Sequence, residues 1–229
     1  MCKFALALIA LSFAATATAA ELKPMTAIYS VSRDGKAVGD ATYTLASNND
    51  GTWTLTSITH GTSGMARMVG LDVREESTFR WHNGQIEGVR YDYKQDAAIK
   101  HKQRHMDLDA SAQQAHVQEG KESFSYTIPA GTMDRSSVAL VLGEALAQGK
   151  RDITLPVAVK DHVEQQHFVA SPEETIQVPA GSFKAVKFER MDTPGKARSW
   201  YAPSLTSLPL RVEQVSGDNS TIVLELKQK

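Results

Sequence analysis

Residues 42–56 read Thr-Tyr-Thr-Leu-Ala-Ser-Asn-Asn-Asp-Gly-Thr-Trp-Thr-Leu-Thr, and this stretch decides the fold. Tyr43 and Leu45, then Trp53 and Leu55, alternate with threonines, the period-two pattern of a strand with one buried and one wet face. Between the two runs, Ser47-Asn48-Asn49-Asp50-Gly51 is dense in turn formers, and its Asp-Gly end is a hairpin signal. Working outward, Arg33-Asp34-Gly35-Lys36 joins the runs 25–32 and 37–46, and His82-Asn83-Gly84-Gln85 joins 71–81 to 86–94. Three Asx-Gly turns between β-rich runs make an antiparallel meander. The prolines agree: Pro24 is followed by none until Pro129, and proline is excluded from central strands because it removes a ladder donor.

The second half reads differently. Asp134–Ala147 has helical spacing, with Val138, Leu142 and Ala145 on one face, Asp134 placed to cap and Gly149 just past the end. Gly143 inside it costs about 1 kcal/mol against alanine, so this helix needs tertiary support. Strand-like runs then follow at 152–159, 163–170, 174–178, 183–191, 198–202, 208–215 and 221–227. About a dozen strands and one good helix define a mainly β protein. The expected architecture is a curved antiparallel sheet, a barrel or half-barrel with one packed helix, because curling removes exposed edges. A β-sandwich is the alternative.

Composition is that of an ordinary globular chain. Hydrophobic residues make up 41% and charged residues 22% of the 229, which excludes a disordered or collagen-like protein. A formal charge of −1 provides no field to steer the chain to nucleic acid. Residues 1–20 read as a signal peptide: Lys3 supplies the positive end, Phe4–Phe13 the apolar stretch, and Ala17-Thr18-Ala19 a small-x-small cleavage signal. That stretch is too short to span a membrane, and no apolar run of spanning length occurs later. Residues 21–229 then form a single mostly-β domain. Cys2, the one cysteine, lies inside the signal, so the mature chain carries no disulfide or thiol, an absence that favours a bacterial periplasm.

Four clusters of residues offer candidate chemistry. His101 and His105 have chelating spacing on a helix, but the alternation through Met106-Asp107-Leu108-Asp109 indicates a strand, where the rings stand roughly 13 Å apart. A solvated basic strand is expected, and no metal. Gly61-Thr62-Ser63-Gly64-Met65 loosely resembles a nucleophile elbow, yet Met65 stands where the motif needs glycine. A flexible loop is expected there, and no catalytic residue. Glu75 and Glu76 point to opposite faces of a strand and cannot converge. Asp107 and Asp109 share a face, but nothing marks them as buried. No phosphate loop or dinucleotide fingerprint occurs, so no cofactor is expected.

The sharpest local pattern is Val178-Pro179-Ala180-Gly181-Ser182-Phe183, a tight turn re-entering a strand, followed by Trp200-Tyr201-Ala202-Pro203 and Leu208-Pro209-Leu210-Arg211. Together with Tyr29, Val31, Gly35 and Gly39 in the first hairpin, Gly88 and Tyr91 in a later strand, and the Asp134-led helix, this order resembles the bacterial envelope family catalogued as domain of unknown function 3108. The resemblance implies a periplasmic, mostly β protein and brings no established activity. The matched positions look structural.

Three classes of function fit. The first is a non-catalytic binding or carrier module for an apolar or amphipathic envelope ligand such as a lipid; it requires an apolar cavity of at least about 300 Å³. The second is a structural or interaction protein of the cell envelope, and the third an enzyme, with a hydrolase least favoured. For a carrier, Trp53, Tyr91, Phe188 and Trp200 are expected on one protected face as wall or floor, with Met65 and Met68 as an adaptable rim. The plainer role of each aromatic is core filling. Export predicts cleavage after Ala19 or Ala20 without acylation; intact mass spectrometry of the periplasmic protein checks it, and a retained N-terminus or an added lipid mass contradicts it.

Overall fold

The computed structural model describes residues 22–229 apart from 83, 84 and 99. The signal segment and the Asn83-Gly84 turn lie outside the described residues, although the flanks of that turn pair His82 with Gln85. Alternation becomes an eight-strand meander: β1 (Met25–Arg33), β2 (Lys36–Ser47), β3 (Thr52–Gly61), β4 (Asp72–His82), β5 (Gln85–Ala97), β6 (Lys100–Asp109), β7 (Gln114–Glu119) and β8 (Glu122–Thr127). A one-turn helix α1 (Gly64–Met68) interrupts the β3–β4 connection. The chain then makes β9 (Met133–Asp134) and helix α2 (Val138–Ala147). A second meander follows: β10 (Asp152–Ala158), β11 (Val163–Val178), β12 (Gly181–Arg190), β13 (Ala197–Tyr201), β14 (Arg211–Val215) and β15 (Thr221–Gln228).

The two meanders join through β15 and β1, with Leu226 opposite Tyr29. All fifteen strands form one curved open sheet in the order 8-7-6-5-4-3-2-1-15-14-13-12-11-10-9, so the chain does not build the two packed sheets of a sandwich. Connections in a meander alternate between two ends. Those after β1, β3, β5, β7, β10, β12 and β14 share one end, called the front here. No helix of the described residues is long and apolar enough to cross a membrane.

Two expectations need correction. The runs 163–170 and 174–178 are one strand, β11, whose register shifts between Ala170 and Glu173. Pro172 sits inside that shift, where a missing N–H breaks no ladder bond. The helix starts at Val138 with Ser137 at the cap position, three residues later than expected. Asp134 acts one step earlier: Oδ1 accepts from the backbone N–H groups of Ser136 (2.8 Å) and Ser137 (3.1 Å), and Oδ2 accepts from the Ser77 hydroxyl. This wholly buried carboxylate ties the lead-in of α2 to β4.

Helix α2 has no wet face. Seven of its ten residues are buried, and Val138, Leu140, Leu142 and Leu146 among them join Tyr29, Leu45, Leu55, Phe79 and Phe188 in the main core cluster. A helix that is apolar on most sides must be surrounded, and the sheet curls around it. Two close approaches fix this arrangement. A Cβ at Gly88 would lie 2.6 Å from Leu108 Cδ1 and 3.1 Å from the Thr132 carbonyl oxygen. The bulge opposite Phe79 frees the Gly88 N–H, which donates to that same carbonyl at 3.1 Å, so the chain entering β9 crosses β5. At the other free edge the Tyr126 hydroxyl donates to the Val159 carbonyl at 2.6 Å, and Lys160 pairs with Glu122.

The second close approach is Gly143, where a Cβ would lie 1.9 Å from the Ser207 carbonyl oxygen. Helix propensity alone says that Gly143→Ala stabilises by about 1 kcal/mol. The collision reverses the sign. Gly143→Ala is expected to lower stability by about 1–3 kcal/mol, as overpacked cores do; urea unfolding measures it, and a gain in stability contradicts the packing described.

Candidate functional site

Directly paired residues of an antiparallel ladder share a face, so register assigns each side chain a side. Trp53 pairs with Phe79, Tyr91 with Ser77, and Phe188 with Ser199. These three face the concave side with α2. Trp200 does not. It pairs with Lys187 and Arg211, which puts it on the convex face and corrects the expectation of one shared wall. There its indole N–H donates to Glu174 Oε1 at 2.7 Å beneath the Arg211 guanidinium, 5.5 Å above the ring. Burial of Trp200 comes from β11 beyond the Pro172 shift, a long-range cover that local alternation does not report. Phe188 fills the core, edge-on to Tyr201 at 6.0 Å.

The β3–β4 connection also departs from expectation. It carries the ordered turn α1, not a plain loop, and Gly61 lies so close to Ala66 that a Cβ there would come within 2.6 Å of Ala66 backbone atoms. Met65 and Met68 project from it, 67% and 77% exposed. The Ser63 hydroxyl donates to the Ala37 carbonyl. Glu75 and Glu76 take opposite faces, Glu75 inward to Arg135 and Glu76 outward to Arg74. On the convex face of β6, His101 contacts Asp96 at 2.9 Å, and His105 lies 2.7 Å from Asp92 and 3.0 Å from Asp107. No group of three or more His, Cys, Asp or Glu side chains suited to a metal ion occurs among the described residues.

The concavity is not an open cup. Helix α2 occupies its centre and leaves a recess on either side. The front recess, about 180 Å³, is bounded by Val138, Leu142, Phe168 and Tyr201, with Arg135 and Arg190 at its edge. Arg135 reaches from the lead-in of α2 to the opposite wall. Its Nη2 donates to Glu75 Oε1 at 2.8 Å and its Nε to the Tyr91 hydroxyl at 2.8 Å, while the guanidinium lies 4.9 Å over the Tyr93 ring. Burial works against that charge, but Glu75 and Tyr91 more than offset it and hold Arg135 above its ordinary value. Tyr43 nearby is pushed up to about 12, by burial first and then by Glu75. Arg190 is itself matched, to Asp192 at 2.6 Å and Glu164 at 2.9 Å. The Tyr201 hydroxyl is buried at this wall and has no hydrogen-bond partner.

The second recess lies toward the rear, at the incomplete seam between β5 and β10 that two-residue β9 only partly fills. It is a groove of about 380 Å³. Val141 and Ala145 of α2 line it together with Ile86, Met133, Ile153 and Leu155, the polar Gln85 and Thr154 lie among them, and exposed Lys150 stands beside it. Lys150 has no ion-pair partner among the described residues, unlike Arg135 and Arg190. Larger hollows of about 420 and 740 Å³ lie mainly on the convex face among paired charges such as Arg74–Glu76 and Arg80–Glu87.

None of the six residues expected to meet a ligand lines either recess. Period-two counting from Phe188 places Arg190 on the concave face, and counting from Tyr91 back through Ser77 places Glu75 there. What local sequence lacks is the position of α2, which decides where space remains. Lys150 carries no signal beyond its place after a helix-ending glycine.

A mainly β, barrel-like sheet wound around one apolar helix is the class defined here. The family model described as "Protein of unknown function (DUF3108)" matches residues 28–227, and the chain belongs to that family. A β-barrel-like protein of domain of unknown function DUF1849 from Brucella abortus shares the fold: TM-score 0.53, 11% identity, covering 89% of this chain and 95% of that one. No curated protein matches.

Both ring nitrogens of His105 face carboxylates, an arrangement satisfied when both carry protons. Asp92 and then Asp107 raise its pKa against the opposing effect of partial burial. A His raised in the folded state adds stability fully below its unfolded value, about 6.5, and loses it as pH rises through the folded value. Imidazole titration by NMR is expected to place His105 above about 6.5; a midpoint at or below that value contradicts the bridge.

Proposed function

We propose that the chain is exported to the bacterial periplasm with cleavage of residues 1–20, and that it works there as a non-catalytic binding module for an amphipathic envelope ligand. The address rests on the Lys3, Phe4–Phe13 and Ala17-Thr18-Ala19 pattern. One observation carries the function: the groove of about 380 Å³ at the seam, where apolar side chains of α2 and of β5 and β10 share the lining about equally with polar atoms, and where Lys150 has no ion-pair partner among the described residues. Apolar side chains take the tail of such a ligand, and a cation beside them selects an anionic head. The groove exceeds the roughly 300 Å³ that ligand sites begin at, though it is an open trough along a sheet edge.

A second reading, a structural or interaction protein of the envelope, draws on α2. The helix fills the space that a barrel-type carrier keeps for cargo, which leaves no room for a deeply enclosed long-chain lipid.

Protein purified without detergent from its own envelope is expected to carry an amphiphile, seen by native mass spectrometry and solvent extraction. Lys150→Glu lies on the surface, so the melting temperature is expected to hold while retention of an anionic amphiphile falls about tenfold, the size of one lost charge-assisted contact. An empty wild-type protein that also fails to bind a fluorescent fatty acid removes the carrier reading and leaves the interaction protein.

A further inference from the structure

The exposed large hydrophobic residues of the described chain are Met65, Met68 and Met191, 67%, 77% and 43% exposed. All three lie at the front end. Met65 and Met68 are on the β3–β4 connection, and Met191 is on the β12–β13 connection, six strands away in the sheet order. They therefore mark two separate places on one rim. The same rim carries cations that the rest of the fold does not neutralise. Lys36 after β1, Arg67 between the two methionines, Lys100 after β5 and Lys121 after β7 have no ion-pair partner among the described residues. Three acids near the front connections are paired with cations, Asp218 with Arg33, Glu122 with Lys160 and Asp192 with Arg190, while Asp161 lies against His162 and Asp34 accepts from the Thr221 N–H and keeps its charge.

We propose that the front rim is a docking surface for an anionic phospholipid bilayer, with Met65 and Met68 entering the interface and Arg67, Lys100, Lys36 and Lys121 meeting the headgroups. Charge complementarity selects this occupant. A protein partner would need a continuous apolar patch, whereas the Met65–Met68 pair stands apart from Met191 and shares its part of the rim with the unpaired Lys36, Arg67 and Lys100. Unbranched thioethers insert into an irregular acyl boundary without needing a shaped pocket, and each cation near an anionic surface adds about fivefold in affinity. Docking in this orientation holds the molecule where amphipathic compounds partition. The proposal stands on the rim alone and does not depend on the seam groove.

The test is flotation of protein purified without detergent, using vesicles of phosphatidylethanolamine with phosphatidylglycerol, against vesicles of phosphatidylcholine alone. Binding is expected to the anionic vesicles only, and to weaken as salt is added. Arg67→Gln with Lys100→Gln, compared in the same protein form, is expected to weaken it about 25-fold. Met65→Gln with Met68→Gln is expected to abolish stable flotation. All four side chains are exposed, and unchanged circular dichroism and melting temperature verify each fold. No flotation with anionic vesicles, or flotation that neither pair of substitutions alters, overturns the proposal. Dimers in sedimentation that dissolve on Met65→Gln/Met68→Gln, without vesicle binding, also overturn it and assign the rim to a second copy of the chain.

Discussion

A helix without a polar face has to be enclosed, and most of this architecture follows from that requirement. Helix α2 brings Leu140, Leu142 and Leu146 into the molecule together with a glycine and a glutamate, and no side of it is suited to water. A flat sheet could cover one side only. The single sheet curls instead, and the curl is locked where backbone meets backbone: Ser207 against Gly143, and Thr132 against Gly88. Asp134, held by Ser77, Ser136 and Ser137, sets the point from which the helix departs. The energetic weight falls on burial, because the surrounding ion pairs are mostly exposed and such pairs contribute little.

Enclosure also explains where function can reside. With its centre occupied, the concavity offers only what the helix leaves on either side. Inside the front recess the charges are mutually satisfied, Arg135 by Glu75 and Arg190 by Asp192 and Glu164, so little unbalanced attraction remains there for a ligand. At the seam, a mixed polar and apolar surface lies beside the Lys150 ammonium, which is unmatched among the described residues. The difference between the recesses is electrostatic completeness more than size.

The strands were legible because period two is a local property, and Thr42–Thr56 displays it without interruption. Parity was legible as well wherever a strand ran unbroken: Glu75 opposed to Glu76, and Phe188 set with Val186. Legibility failed wherever a distant segment decides the outcome. Trp200 reads as a core aromatic, yet its cover comes from Glu174, past a proline that looked like a strand end. Gly143 reads as a flaw in a helix, yet Ser207, more than sixty residues later, requires it. The two-residue β9 is too short to have any period. The seam groove depends on where α2 and β9 pack against β5 and β10, and no run of neighbouring residues could announce it.

The pairing of β1 with β15 sets the order in which this molecule can come together. Strand β1 lies in the interior of the sheet, between β2 and β15, and every other strand comes between β1 and β15 in sequence. Its second neighbour is absent until the thirteen strands that separate the two in sequence are available, so a chain still being made or threaded presents β1 as a long bare edge. Loop-closure entropy makes such a distant pairing slow. Until it forms, the N-terminal meander is an open template for strands of other molecules. The final eight-residue strand is thus a clasp at the middle of the sheet, and its arrival is what turns two half-sheets into one protein.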